Sequence, residues 1–119
     1  KCDEMPAFYS HSSGLGVDQR IENAVDAAAV ARARDELGLQ NAVLVTVPIP
    51  AEFEIGRDEL ETVLADALRL AEQRGVVGKE ITPFLLAQMS ERTGGRTLAA
   101  NIALLENNAR IAAAIACGL

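Results

Sequence analysis

Asn41-Ala42-Val43-Leu44-Val45-Thr46-Val47 is a run of apolar and β-branched residues, bounded by Gly38 behind and by Pro48-Ile49-Pro50 ahead. Continuous apolarity, rather than alternation, is the habit of a strand covered on both faces, as in parallel sheets. The run therefore reads as a buried strand. Pro48-Ile49-Pro50 cannot continue a central strand and makes a stiff loop at its C-terminal end, where open α/β sheets place their ligands. No second strand of equal clarity follows. The chain, which starts at Lys1 without an initiator Met, reads as a fragment: part of a larger α/β domain, helix-rich, with one or two strands of its own.

Outward from the run the periodicity is helical. Ile21, Ala24, Val25, Ala28 and Ala29 recur at helix spacing over residues 21–37, and Gly38 can take the left-handed conformation that ends a helix. Leu60, Val63, Leu64, Ala67, Leu68 and Ala71 form one stripe, with Asp58 and Glu59 in the first turn, where carboxylates complement the helix dipole. Gly75 ends that helix. Thr82-Pro83 predicts an N-cap hydroxyl followed by Pro at the first helical position. Phe84, Leu85, Leu86 and Met89 give this third helix an apolar side, and Gly94-Gly95 closes it. The last helix is predicted from 97 to about 116, with Leu98, Ile102, Leu105 and Ala109 on one stripe and Leu104, Ile111 and Ile115 on another. A helix apolar on two sides is normally buried on two sides. Residues 5–10 are a strand or an extended loop, so the order is extended, α, β, α, α, α.

Composition bounds the function. The chain has 119 residues, 50% of them hydrophobic and 24% charged, enough for one domain; chains of this size bury about two-thirds of their unfolded surface. Eleven Lys and Arg against seventeen Asp and Glu, a net charge of -6, exclude a general nucleic-acid binder, which needs a basic surface to displace counterions. No apolar run approaches the roughly 20 residues of a membrane-spanning helix. The first residues lack a signal peptide's order of regions. Cys2 and Cys117 sit at opposite ends, and two such cysteines fit reduced thiols in a cytoplasmic protein better than a secreted disulfide framework. With one His, they cannot supply a tetrahedral zinc site.

Three polar groups stand out from ordinary surface. Asn101, Asn107 and Asn108 interrupt the apolar last helix, although Asn is a mediocre helix former. Asn101 and Asn108 share a face with Leu104 and Leu105. A carboxamide there either pins a neighbouring loop's backbone or reads a planar, amide-bearing ligand such as a pyrimidine base. Gly78-Lys79-Glu80-Ile81-Thr82-Pro83 runs into a helix N-terminus, where free amides bind anions or are simply capped. Tyr9-Ser10-His11-Ser12-Ser13-Gly14 is a hydroxyl-rich turn that could hold a phosphate or be a plain tight turn. His11, the one histidine, reads as a turn residue, and Glu106 and Arg110 as a helix-surface ion pair.

Taken in order, Pro6-Ala7-Phe8-Tyr9-Ser10, Ser12-Ser13-Gly14, Pro48-Ile49-Pro50, Gly78-Lys79, Thr82-Pro83-Phe84-Leu85-Leu86, Thr93-Gly94-Gly95, Asn101-Ile102-Ala103-Leu104 and Asn107-Asn108-Ala109-Arg110 resemble the pseudouridine-5′-phosphate glycosidases, a group that includes the indigoidine synthase A-like proteins. The resemblance implies that residues 1–119 are the C-terminal part of a single α/β/α sandwich that assembles as a homotrimer and uses manganese (Mn2+). It implies reversible cleavage of the C–C glycosidic bond of pseudouridine 5′-phosphate to uracil and ribose 5-phosphate. The opened sugar would form a lysine Schiff base that acts as an electron sink, while a carboxylic acid moves protons. The family's lysine, glutamate and metal-binding aspartate fall upstream of Lys1, so this chain would supply a wall of the pocket and no catalytic or metal residue.

On the same resemblance, the asparagine facing uracil is Asn107 or Asn108, with Asn108 preferred for its apolar face. Ser12, Ser13, Lys79 and Thr82 are the other motif positions expected at the substrate. The chain departs from the family pattern at Cys2, where Thr is usual, near His11, where an Arg is usual, and at Val47, where Asn precedes Pro-Ile-Pro. The competing expectation is a non-catalytic module that binds a pyrimidine or nucleotide, or that oligomerises through exposed apolar helices.

Overall fold

The stripe that begins at Leu60 forms a helix from Arg57 to Gln73, one of four in a computed structural model that describes residues 3–119. The helices are α1 (Ala24–Glu36), α2 (Arg57–Gln73), α3 (Ile81–Arg92) and α4 (Arg96–Ala116), with 3-10 turns at Ala51–Phe53 and Gly78–Glu80. Lys1 and Cys2 lie outside the described residues, and with them the departure at Cys2 and any pairing with Cys117. Cys117 is exposed and has no disulfide partner among the described residues.

The α/β expectation is corrected. Among the described residues there is no strand, and the only β-pairing is an isolated antiparallel bridge between Glu4 and Gly16. Residues 41–47 pair with nothing in a ladder, and Asn41, Ala42 and Leu44 are exposed. The physical reason is that β-branched composition prepares a segment for a covered, pleated surface but does not provide the neighbour. Ladder hydrogen bonds need a second edge. Here the facing segment, residues 16–21, stands off across a hollow of about 510 Å³.

The helices follow local chemistry with small differences. α1 starts later than predicted, because the Asn23 side chain accepts from the Asp26 amide and caps it there. At α3 the expected Thr82 cap is not used. The 3-10 turn already delivers the chain in helical conformation, so α3 begins at Ile81 with no side-chain cap. Thr82 and Pro83 become its second and third residues, where Pro's missing N–H still costs nothing.

Gly94 and Gly95, at φ +60° and +85°, turn the chain from α3 into α4 through a left-handed backbone open to glycine. The buried Thr93 hydroxyl locks that corner. It donates to Met89 O at 2.8 Å and accepts from the Thr97 amide at 3.2 Å.

α4 is the centre of the array, packed against α1, α3 and the Ala51–Phe53 turn, while α2 packs on α3. Its buried face is made of small residues, Thr97, Ala100 and Ala103, which let neighbouring backbones approach. The expectation that both apolar stripes are buried is therefore wrong for one of them. Leu98, Ile102 and Leu105 are 54%, 50% and 61% exposed. The core gathers Tyr9, Ile49, Ile55, Ala67, Met89 and Ala100, with Leu60, Val63, Leu85 and Leu104 packed around them. Ile49, held between Pro48 and Pro50, thus anchors the proline loop to the helices. No helix among the described residues is long and apolar enough to cross a membrane.

Candidate functional site

Asn107 lies one α4 turn beyond Ala103 and is half-buried, and its amide nitrogen donates to Pro48 O at 3.2 Å. Arg110, three residues on, donates to Asn107 Oδ1 at 2.6 Å, instead of pairing with Glu106 as the sequence reading had it. These contacts tie α4 to the proline loop and leave a groove of about 540 Å³ between them. Its walls include Pro48, Phe53 and Glu52 on one side and Glu106, Asn107 and Arg110 on the other. An aromatic side chain, a carboxamide bonded at both ends and charges of both signs suit a small, planar, polar-edged ligand.

The hydroxyl-rich turn is a built anion cradle. Ser12 Oγ, the Ser13 amide and the Gly14 amide all donate to one oxygen, Glu4 Oε2, at 2.8, 2.9 and 2.8 Å. Gly14, at φ +78°, takes the left-handed conformation that aims its N–H beside that of Ser13. The anion received is thus the protein's own carboxylate. The Gly14 amide, then the Ser12 hydroxyl and the Ser13 amide, hold the Glu4 carboxyl below its ordinary 4.5.

A depressed folded value means this contribution is complete above pH 4.5 and fades as the pH falls through the lowered value. The amide-proton shifts of Ser13 and Gly14 are expected to step together with a midpoint below 4.5, and Glu4→Gln to abolish the step. A midpoint at or above that value would show that the cradle does not stabilise the carboxylate.

His11 ties the hydroxyl-rich turn to Glu54, which follows the 3-10 turn Ala51–Phe53. Its backbone N–H donates to Glu54 Oε1 at 2.9 Å, and its Nδ1 lies 3.1 Å from Glu54 Oε2. The Ile55 amide donates to Tyr9 O at 3.0 Å just beside it. Tyr9 is buried, and burial raises its phenol above the ordinary 10.0.

The structure thus groups Ser12 and Ser13 around Glu4, and Asn107 with Pro48 and Arg110. It does not bring the remaining expected residues to either place. Lys79 and Thr82 are exposed at the start of α3, outside both the cradle and the groove wall. Asn108, expected on an inward face, is exposed, because the face that turns inward carries Thr97, Ala100, Leu104 and Asn107 at spacings of three and four. That pattern was the signal for Asn107, and Arg110 at i+3 was the signal for its partner. Glu4 and Glu54 carried no local signal, since their partners lie 8 to 10 and 43 residues away. Among the described residues no group of three or more His, Cys, Asp or Glu could hold a metal ion. They do not fit a manganese site.

Comparison with known proteins follows the same chain from end to end. The profile of a family described as Indigoidine synthase A like protein matches residues 1–118. Pseudouridine-5′-phosphate glycosidases from Myxococcus xanthus and Paracoccus denitrificans are 49% and 50% identical over 96% and 98% of this chain. In both cases the chain spans 38% of the relative's own length. Among solved structures, an indigoidine synthase A-like protein from Thermotoga maritima superimposes with a TM-score of 0.80 at 43% identity, over 97% of this chain and 37% of that one. The prealnumycin C-glycosynthase AlnA, solved in complex with ribulose 5-phosphate, gives 0.79 at 28% identity, over 97% and 39%.

Proposed function

The chain belongs to the indigoidine synthase A-like family, and from that premise we propose that it is part of a glycosidase that breaks and makes the C–C glycosidic bond of pseudouridine 5′-phosphate. The observation that carries this reading is the shared activity name of curated relatives at 49% and 50% identity across nearly the whole chain. The C-glycosynthase likeness supports the same bond type. Uracil and ribose 5-phosphate are then the products. The lysine that forms the Schiff base, the proton-donating acid and manganese are assigned to sequence outside these residues. Homotrimer assembly and a cytoplasmic location belong to the same proposal, and the exposed Leu98, Ile102 and Leu105 offer a surface for assembly.

The part played by this chain is to hold the base. Breaking a C–C bond to a pyrimidine requires the ring to be kept in one plane and one rotation relative to the sugar, and such positioning accounts for a large share of a barrier. Phe53 offers a face for the ring, and Asn107, clamped at both ends of its carboxamide, offers a fixed polar edge. The two bonds that hold Asn107, and the exposure of Asn108, support Asn107 as the residue at the base.

The test is a graft. Residues 1–119 replace the stretch they match in the Myxococcus xanthus relative, and synthesis of pseudouridine 5′-phosphate from uracil and ribose 5-phosphate is followed with manganese present. Product from the graft supports the reading. A folded, correctly assembled graft that makes none overturns it.

A further inference from the structure

Resting on the reading of the groove as a base site, we infer that Arg110 is its specificity-determining residue, selecting an oxo-pyrimidine over an amino-pyrimidine. The two ends of one carboxamide have unlike neighbours. Asn107 faces a carbonyl, Pro48 O, at 3.2 Å and a guanidinium, Arg110, at 2.6 Å. Only one orientation of the amide satisfies both neighbours: nitrogen to the carbonyl, oxygen to the guanidinium.

The Oδ1 atom is therefore engaged by a short charge-assisted bond. What Asn107 has left to offer is the second hydrogen of its amide nitrogen. Arg110 has spent one of its five N–H donors and keeps the rest. Both groups present donors to the groove. The acceptors on its walls are the carboxylates of Glu52, on the proline-loop side, and Glu106, on α4.

A wall of two donors with carboxylates beside them complements an imide edge, which reads carbonyl, N–H, carbonyl. Uracil has that edge. Cytosine replaces one carbonyl by an amino group and the ring N–H by a bare nitrogen. Its amino group would face donors and its nitrogen a carboxylate, leaving polar groups of ligand and groove mispaired on both sides. Discrimination of this kind comes from unpaired groups more than from lost attraction. Arg110 sets it twice, by supplying one donor and by fixing which end of Asn107 faces the ligand.

The test is an NMR titration of the 119-residue chain with uracil and with cytosine, reading the Asn107 side-chain amide and the Phe53 signals. Uracil is expected to move both sets and to bind at least about tenfold more tightly than cytosine. Arg110→Met is expected to bring the uracil-to-cytosine ratio close to one, and Arg110→Lys to keep part of it. Uracil binding at the same signals with an unchanged ratio in Arg110→Met would overturn the role of Arg110 and leave the base site standing. No shift at these signals from either base, in a chain whose spectrum is that of a folded protein, would overturn both.

Discussion

Ile49→Ala is expected to lower the stability of the chain by about 3 kcal/mol, within the range for deleting a buried aliphatic side chain. Ile49 is 1% exposed and packs in the cluster with Ile55, Ala67 and Ala100. Two features keep the cost from being small. The flanking Pro48 and Pro50 fix the backbone, so the loop cannot sink into the cavity left behind. The closest-packed helix positions, Ala67 and Ala100, carry no side chain long enough to refill the space. Leu44→Ala is the matched control: Leu44 is equally aliphatic but 77% exposed, so a change within about 0.5 kcal/mol is expected. Urea unfolding measures both, as a shift of the midpoint at constant slope. A loss below about 1 kcal/mol for Ile49→Ala would mean that the proline loop is not anchored by this residue.

In the grafted enzyme, Asn107→Ala is expected to slow uracil-dependent synthesis by about 10- to 100-fold, the effect of losing one or two hydrogen bonds in a partly desolvated site. The substitution leaves Pro48 O and the Arg110 guanidinium without the group that links them, so the groove loses its fixed edge as well as a donor. Asn108→Ala, one residue along but exposed and outside the groove wall, is expected to stay within about twofold, as surface changes do. Initial rates at saturating ribose 5-phosphate, with uracil varied, separate the two. Equal losses, or a larger one for Asn108, would move the base to the outer face of the helix.

The contrast between these asparagines shows what periodicity reads well and where it misleads. α2 was legible because Leu60, Val63, Ala67 and Ala71 repeat at the helical period beside acids in the first turn. In α4 the same counting singled out the large apolar residues Leu98, Ile102 and Leu105, which are exposed. The buried face is instead Thr97, Ala100 and Ala103, small residues with little hydrophobic weight that permit close packing. Placing an asparagine by its large neighbours therefore put it on the wrong face.

Residues 41–47 misled for a different reason. Their composition reports how covered a segment can tolerate being, whereas a strand also needs a partner edge, which composition does not contain. The cradle was legible as a turn rich in hydroxyls and amides, and even as an anion holder. Its occupant, Glu4, was not, because the match is made in space between residues with no shared periodicity. The proline loop and the Asn-Asn-Ala-Arg motif were each visible, but the bond across 59 residues that joins them was not.

The corner at Thr93–Thr97 also sets an order of assembly. Each of its bonds closes over four residues, so it demands almost no loop-closure entropy. The α3–α4 hairpin is placed to form early, on the timescale of local helix pairing. The ties across the proline loop and the turn before it are the reverse. His11 to Glu54 spans 43 residues and Asn107 to Pro48 spans 59, so both wait until the helices are in place. A bound base that bridges the proline loop and α4 would add a second tie across that long span, beside the Asn107–Pro48 bond.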